Sequence, residues 1–218
     1  MTVECAGLLF DNDGVIVSSI ASVNRCWRRW AAHYGVADAD KVEIAHGTRA
    51  VEIMQKLVPG VDVAEGLKLI EDMEIDDLHD IEVLPGVREL LESLPKDKWA
   101  IVSSATYRLL VARLKGAELP VPEFIVSGDR VVNGKPHPEP YLKGAAMIGA
   151  AAGDCLVIED APSGVKAGKA AGCRVLGVLG THTAEELREA GVDWVVGSLV
   201  GVTAVGFGGG LRVSFEAL

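Results

Sequence analysis

A chain of 218 residues, 49% hydrophobic and 24% charged, has the balance of an ordinary globular protein and is long enough to bury one sizeable core. Its 31 acidic against 21 basic side chains leave a formal charge of −10, which excludes a generic nucleic-acid or anionic-membrane surface but not a local anion site. No run reaches the ~18 apolar residues of a membrane span, and no basic region leads into an apolar one at the N-terminus, so a cytoplasmic protein without membrane or nucleic-acid partners is expected. Cys5, Cys26, Cys155 and Cys173 form no CxxC pair and read as reduced core thiols.

The first apolar run, 5–10, reads as a buried strand and passes directly into Asp11-Asn12-Asp13-Gly14. Turn chemistry alone accounts for such a cluster. From Ser18 to Leu84 no strand signal appears and the helical period takes over. Ile20, Val23, Trp27, Trp30 and Tyr34 recur on one helix face, with Gly35 as a stop. A second stretch carries Val51, Met54, Leu57 and Val58, and a third carries Leu67, Ile70 and Leu78 among many acids. These read as a helical insert over 18–84, in which Trp27 and Trp30 are core residues and not stacking platforms. Beyond it, strands are predicted at 99–102, 124–126, 155–158 and 174–178, with weaker signals at 194–196 and 212–215. Helical patterns at 87–94, 106–115, 139–148, 163–171 and 183–190 lie between most of them. Nearly continuous apolar strands alternating with helices predict an α/β fold, a Rossmann-like parallel sheet covered on both faces. The glycines of 206–210 read as a hairpin turn or a loose loop.

In open parallel sheets ligands bind beyond the carboxyl ends of the strands. The residues that follow the predicted strands are Asp11-Asn12-Asp13, Ser103-Ser104-Ala105-Thr106, Ser127-Gly128-Asp129 and Glu159-Asp160, with Lys135 in the loop "NGKPHPEP". Several carboxylates gathered at one edge require a counter-charge, and hard oxygen ligands select Mg²⁺. A hydroxyl with a lysine ammonium makes a cradle for phosphoryl oxygens. One aspartate can attack phosphorus while a second, two residues on, moves the proton. For Glu159-Asp160 a plainer reading stands beside this one: an acidic pair at a helix N-terminus, favoured by the macrodipole.

The stretches "LLFDNDGV", "AIVSSAT", "GKPHPEPYLKGA" and "LVIEDAPSGVKAGKAAG" resemble, in order, the four motifs of the haloacid-dehalogenase-type (HAD) phosphohydrolases. The resemblance implies an HAD-like core over 1–17 and 85–218 and a helical cap over 18–84. It makes Asp11 the nucleophile and a metal ligand, and Asp13 the general acid/base whose backbone carbonyl also reaches the metal. Ser104, with Ala105 beside it, takes the phosphate-binding position, and a shift to Ser103 stays open. Lys135 neutralises the nucleophile and the phosphoryl group. Asp160, with Glu159 as a direct or water-mediated partner, completes a Mg²⁺ site. Dehalogenases of this fold lack the second aspartate, so Asp13 disfavours them. The cap lysines Lys41, Lys56 and Lys68 offer nothing that singles out a Schiff-base residue. In "HGTRAVEIMQKLVPG", His46 and Arg49 either face a polar substrate or belong to a solvated helix start. This stretch, together with "GKPHPEPYLKGA" and "EDAPSGVKAGKAAGCRVLGV", resembles the glycerol-phosphate, 2-deoxyglucose-6-phosphate and sugar phosphatase branch. The expectation is a monomeric Mg²⁺-dependent phosphomonoesterase acting on a small sugar or polyol phosphate. A β-phosphoglucomutase-like mutase is the nearest alternative. A signalling receiver domain is more distant, because Asp13 would have no role in one.

Overall fold

A computed structural model describes residues 1–44 and 47–218 of the chain. The elements in order are β1 (Thr2–Cys5), β2 (Gly7–Phe10), β3 (Val17–Ser18), α1 (Ile20–His33), α2 (Ala50–Leu57), α3 (Val63–Asp76), β4 (Glu82–Val83) and α4 (Val87–Ser93). There follow β5 (Trp99–Val102), α5 (Tyr107–Gly116), β6 (Ile125–Val126), α6 (Glu139–Met147), β7 (Cys155–Glu159), α7 (Pro162–Ala170), β8 (Arg174–Val178), α8 (Ala184–Glu189), β9 (Trp194–Val196), β10 (Thr203–Phe207) and β11 (Gly210–Ser214).

Six strands form a parallel sheet in the order β6-β5-β2-β7-β8-β9. Every residue of β2, β5 and β7 is buried, as expected of strands covered on both faces. Successive side chains point to opposite sides. Leu8, Phe10, Ile101 and Ile158 therefore enter one core cluster while Leu9, Ala100, Val102 and Val157 enter the other. The chain leaves β2 to build β5 and β6 on one flank and β7 to β9 on the other. The crevice at the carboxyl end of β2 is thus the topological switch point of the sheet.

The predicted strand 5–10 is two strands separated by Ala6. β1 alternates exposed and buried residues and pairs antiparallel with β11 in a separate three-stranded sheet, β1-β11-β10. The glycine-rich stretch is the hairpin turn between β10 and β11, with Gly208 and Gly209 at φ 57° and 84°, the backbone that a two-residue primed turn requires. Strand β10 escaped the sequence reading because it lies at the sheet edge and buries only Ala204.

Between β2 and α4 the helices α1, α2 and α3 pack on one another around a third core cluster that includes Trp27, Trp30, Met54 and Ile70. Both tryptophans are buried, and Trp30 Nε1 donates to the Gly66 carbonyl at 2.9 Å. The insert leaves and rejoins the sheet through a short antiparallel ribbon, where Val17 pairs with Val83. All four cysteines are buried free thiols. Among the described residues no helix is long and apolar enough to cross a membrane.

Candidate active site

Asp11 directly follows β2, and Glu159 ends β7, its neighbour in the sheet, so both side chains emerge at the switch point. Lys135, carried by the loop before α6, places its Nζ 2.6 Å from Asp11 Oδ1 and 2.6 Å from Glu159 Oε1. Asp11, Glu159 and Asp160 each bring a carboxylate oxygen to within 4.8 Å of the others. Two glycines permit this packing. A Cβ on Gly14, which has φ +89°, would lie 2.0 Å from Asp160 Oδ2, and one on Gly164 would lie 1.6 Å from Glu159 Oε1.

The two carboxylates at the end of β7 are used differently. Glu159 Oε1 accepts from Lys135 and from the Tyr141 hydroxyl at 2.7 Å, and Oε2 accepts from the amides of Asp160 and Ala161 at 3.0 and 3.1 Å. Its acceptor capacity is therefore filled by protein donors. These contacts make Glu159 a clamp on Lys135 and on the start of α7. Asp160 Oδ2 accepts from Thr181, while Oδ1 is buried with no partner.

Burial pushes the Asp11 carboxyl up to about 7, opposed by Lys135 and reinforced by Glu159. Burial likewise raises Asp160 far above the carboxylate range, with Glu159 and Asp11 adding repulsion. For Lys135 burial works against the charged form, but Asp11 and Glu159 outweigh it and hold the ammonium protonated. Three buried acids facing one lysine, with an orphaned oxygen among them, fit a hard divalent cation. A second acidic group, Asp77 with His79 and Asp80, already has its counter-charge: Arg25 sits 3.0 and 2.8 Å from the two aspartates.

Above this cluster lies a cavity walled by the sheet edge and by the helical insert. Asp11, Asp13 and Ser104 line it from below, and Trp27, Ile53 and Glu74 from above. Asp13 Oδ1 accepts from Ser19 Oγ at 2.7 Å and pairs with Arg113 Nη1 at 2.8 Å. Ser104 donates to the Gly47 carbonyl of the insert at 2.7 Å. Ser103 is turned into its own loop, accepting from the Ala105 amide at 3.0 Å, and Ala105 lines the cavity. Arg49 is not in the cavity wall. It pairs with Glu52 at 2.6 Å and donates to the carbonyls of Val131 and Val132 at 3.4 and 3.1 Å, fastening the insert to the Lys135 loop. In these contacts Arg49 is a strut between the insert and that loop. His46 lies outside the described residues.

A family model described as haloacid dehalogenase-like hydrolase matches residues 8–178. The chain belongs to the haloacid dehalogenase-like hydrolases. Among its relatives, hexitol phosphatase A of Escherichia coli (strain K12) is 40% identical over 205 residues, covering 92% of this chain and 94% of that one. Glycerol-1-phosphate phosphohydrolase 1 of Saccharomyces cerevisiae is 35% identical over 210 residues, covering 90% of this chain and 83% of that one. A solved hydrolase from Pseudomonas syringae superposes with a TM-score of 0.79 at 27% identity, covering 89% of this chain and 94% of that one.

The site of this haloacid dehalogenase-like hydrolase includes groups that the sequence reading passed over, some of them beside the cavity and not in its wall. Tyr141 and Thr181 hold Glu159 and Asp160, and Arg113 and Glu74 stand beside Asp13. One signal was available. Thr106, Leu109, Leu110 and Arg113 share a helix face at i, i+3, i+4 and i+7, so the face that buries the two leucines also aims the arginine inward.

Proposed function

We propose that the chain is a Mg²⁺-dependent phosphomonoesterase that hydrolyses a small sugar or polyol phosphate through an aspartyl-phosphate. The observation that carries this reading is the Lys135 ammonium held 2.6 Å from both Asp11 and Glu159, beside the unpartnered oxygen of Asp160. In this reading residues 18–84 are a cap over a core of 1–17 and 85–218. Asp11 attacks phosphorus and the bond to the alcohol breaks, while Asp13 gives the departing oxygen a proton. Water then attacks the aspartyl-phosphate, Asp13 takes a proton from it, and phosphate leaves with Asp11 restored. Lys135 and the Ser104 hydroxyl hold the phosphoryl oxygens. Asp11, Asp160 and the Asp13 carbonyl would hold the divalent cation, which when bound neutralises the nucleophile and the phosphoryl group. Glu159 fixes Lys135, and the apolar cap wall of Trp27 and Ile53 keeps bulk water away.

The cap side of the cavity offers the carboxylates Glu71 and Glu74, and Thr106 of the core adds a hydroxyl beside Glu71, which suits a hydroxyl-rich leaving group. A mutase would return the phosphoryl group to a second hydroxyl by way of a bisphosphate, and it needs a second phosphate site. Arg113 is the one basic side chain lining the cavity among the described residues, and Asp13 and Glu74 already share it. That favours hydrolysis. The names of the polyol and sugar phosphatases among the relatives support the substrate class. A net charge of −10 speaks against nucleic-acid or anionic-membrane partners, and we take the enzyme as a cytoplasmic monomer acting on a free metabolite.

Phosphate release from a panel of hexitol, glycerol, hexose and nucleoside monophosphates tests the reading. Release from polyol or sugar phosphates, abolished by EDTA and restored by Mg²⁺, is the expected result. Asp11→Asn should lose roughly 10⁴-fold or more in kcat, the scale of a missing nucleophile. Turnover near the wild-type rate in that variant, or isomerised sugar phosphate without free phosphate, would overturn the reading.

A further inference from the structure

We infer that Arg113 is a positioning residue for Asp13, and that Glu74 of the insert sets Arg113 in place. The inference rests on the acid–base reading of Asp13 and adds to it the device that aims the carboxyl group. Arg113 projects from α5 and is 4% exposed, so its charge is enclosed. Its Nη1 lies 2.8 Å from Asp13 Oδ1, and its Nη2 donates to the carboxylate of Glu74, itself 4% exposed on α3. Ser19 donates to the same Asp13 oxygen at 2.7 Å. Both donors thus grip Oδ1, and the carboxyl group is oriented through one oxygen while Oδ2 is left to carry the moving proton.

A guanidinium suits this task because its fork of fixed donors can serve two carboxylates in set directions, which an ammonium on a flexible stem does not. Asp13 and Arg113 belong to the sheet-bearing core, whereas Glu74 belongs to the insert. Without Glu74, Arg113 would lose the partner that fixes its second nitrogen. Seating α3 over the core and aiming the acid are then one event. The pair matters most when the leaving oxygen must receive a proton, as with an alkyl alcohol. It matters least when the leaving group departs as a stable anion.

The Mg²⁺-loaded full chain, as wild type, Arg113→Lys, Glu74→Gln and Asp13→Asn, should be compared on two esters. These are the polyol phosphate that the wild type hydrolyses best and p-nitrophenyl phosphate. The readout is kcat/KM, which stops at transfer of the phosphoryl group to the enzyme. Arg113→Lys is expected to lose roughly 10²-fold on the polyol ester yet stay within about threefold on the aryl ester, as for a misplaced general acid. Glu74→Gln, which keeps a hydrogen-bonding amide, should show the same selectivity to a smaller degree. Equal loss on both esters would mark a structural role and overturn the inference, as would no loss on either. Asp13→Asn separates two kinds of failure. If it shows the selective loss and neither Arg113→Lys nor Glu74→Gln does, only this inference falls. If it spares the polyol ester, the acid–base reading falls and the inference with it.

Discussion

Glu139 accepts hydrogen bonds from the amides of Val132 and Asn133, both at 2.9 Å, and pairs with Lys143 at 2.8 Å. These bonds tie down the loop that carries Lys135 into the site. The Lys143 ammonium, with the two amides, depresses the Glu139 carboxyl to about 2. An acid whose folded-state pKa lies below its unfolded value stabilises the fold above the unfolded pKa, and the contribution is lost as pH falls through the folded one. Comparing Glu139→Gln with wild type by urea unfolding across pH should therefore show the wild type ahead above about pH 4.5, with the gap closing towards about pH 2. A gap that does not change with pH would mean the charge is irrelevant there. Glu159 makes the complementary point at this scale. Its residue type suits a metal ligand, but four donors already occupy it.

Among the elements, α7 shows most directly how a local sequence shapes the site. Pro162 occupies the first helical turn, where its missing amide costs nothing. Upstream, Glu159 receives the amides of Asp160 and Ala161, and Gly164 leaves room for its carboxylate. The helix start and the cluster around Lys135 are one construction. Gly164→Ala should drive a methyl group into Glu159 and cost about 1–3 kcal/mol, measured by urea denaturation, with a fall in kcat as Lys135 loses its clamp. Unchanged stability and rate would show that the carboxylate can shift freely. The predicted helices of the core end within a residue of those observed, because apolar periodicity and caps are local signals. Strand β10 was not legible for the converse reason. Its pairing with β11 rests on backbone hydrogen bonds at an edge, with almost no side-chain burial to leave a pattern.

At the scale of the molecule, the cluster around Trp27 and Trp30 is separate from the two clusters that flank the sheet. Trp30→Ala should cost about 3–5 kcal/mol, as for a large aromatic removed from a packed interior. The loss should fall mainly on α1 to α3. Hydrogen exchange is expected to quicken there while the amides of β2, β5 and β7 stay protected, and uniform quickening would show that insert and sheet unfold as one unit. The parallel sheet, its helices and the edge at which Asp11, Lys135 and Asp160 meet were legible in the sequence. Strand period, helix period and the placing of polar residues after apolar runs are all local. What side chains do once they arrive was not. Arg49 faces a loop some eighty residues away, and Arg113 reaches Glu74 across 39 residues of chain and Asp13 across 100. Such pairings are selected by which buried charges can satisfy one another in the folded state, and no local pattern records that choice.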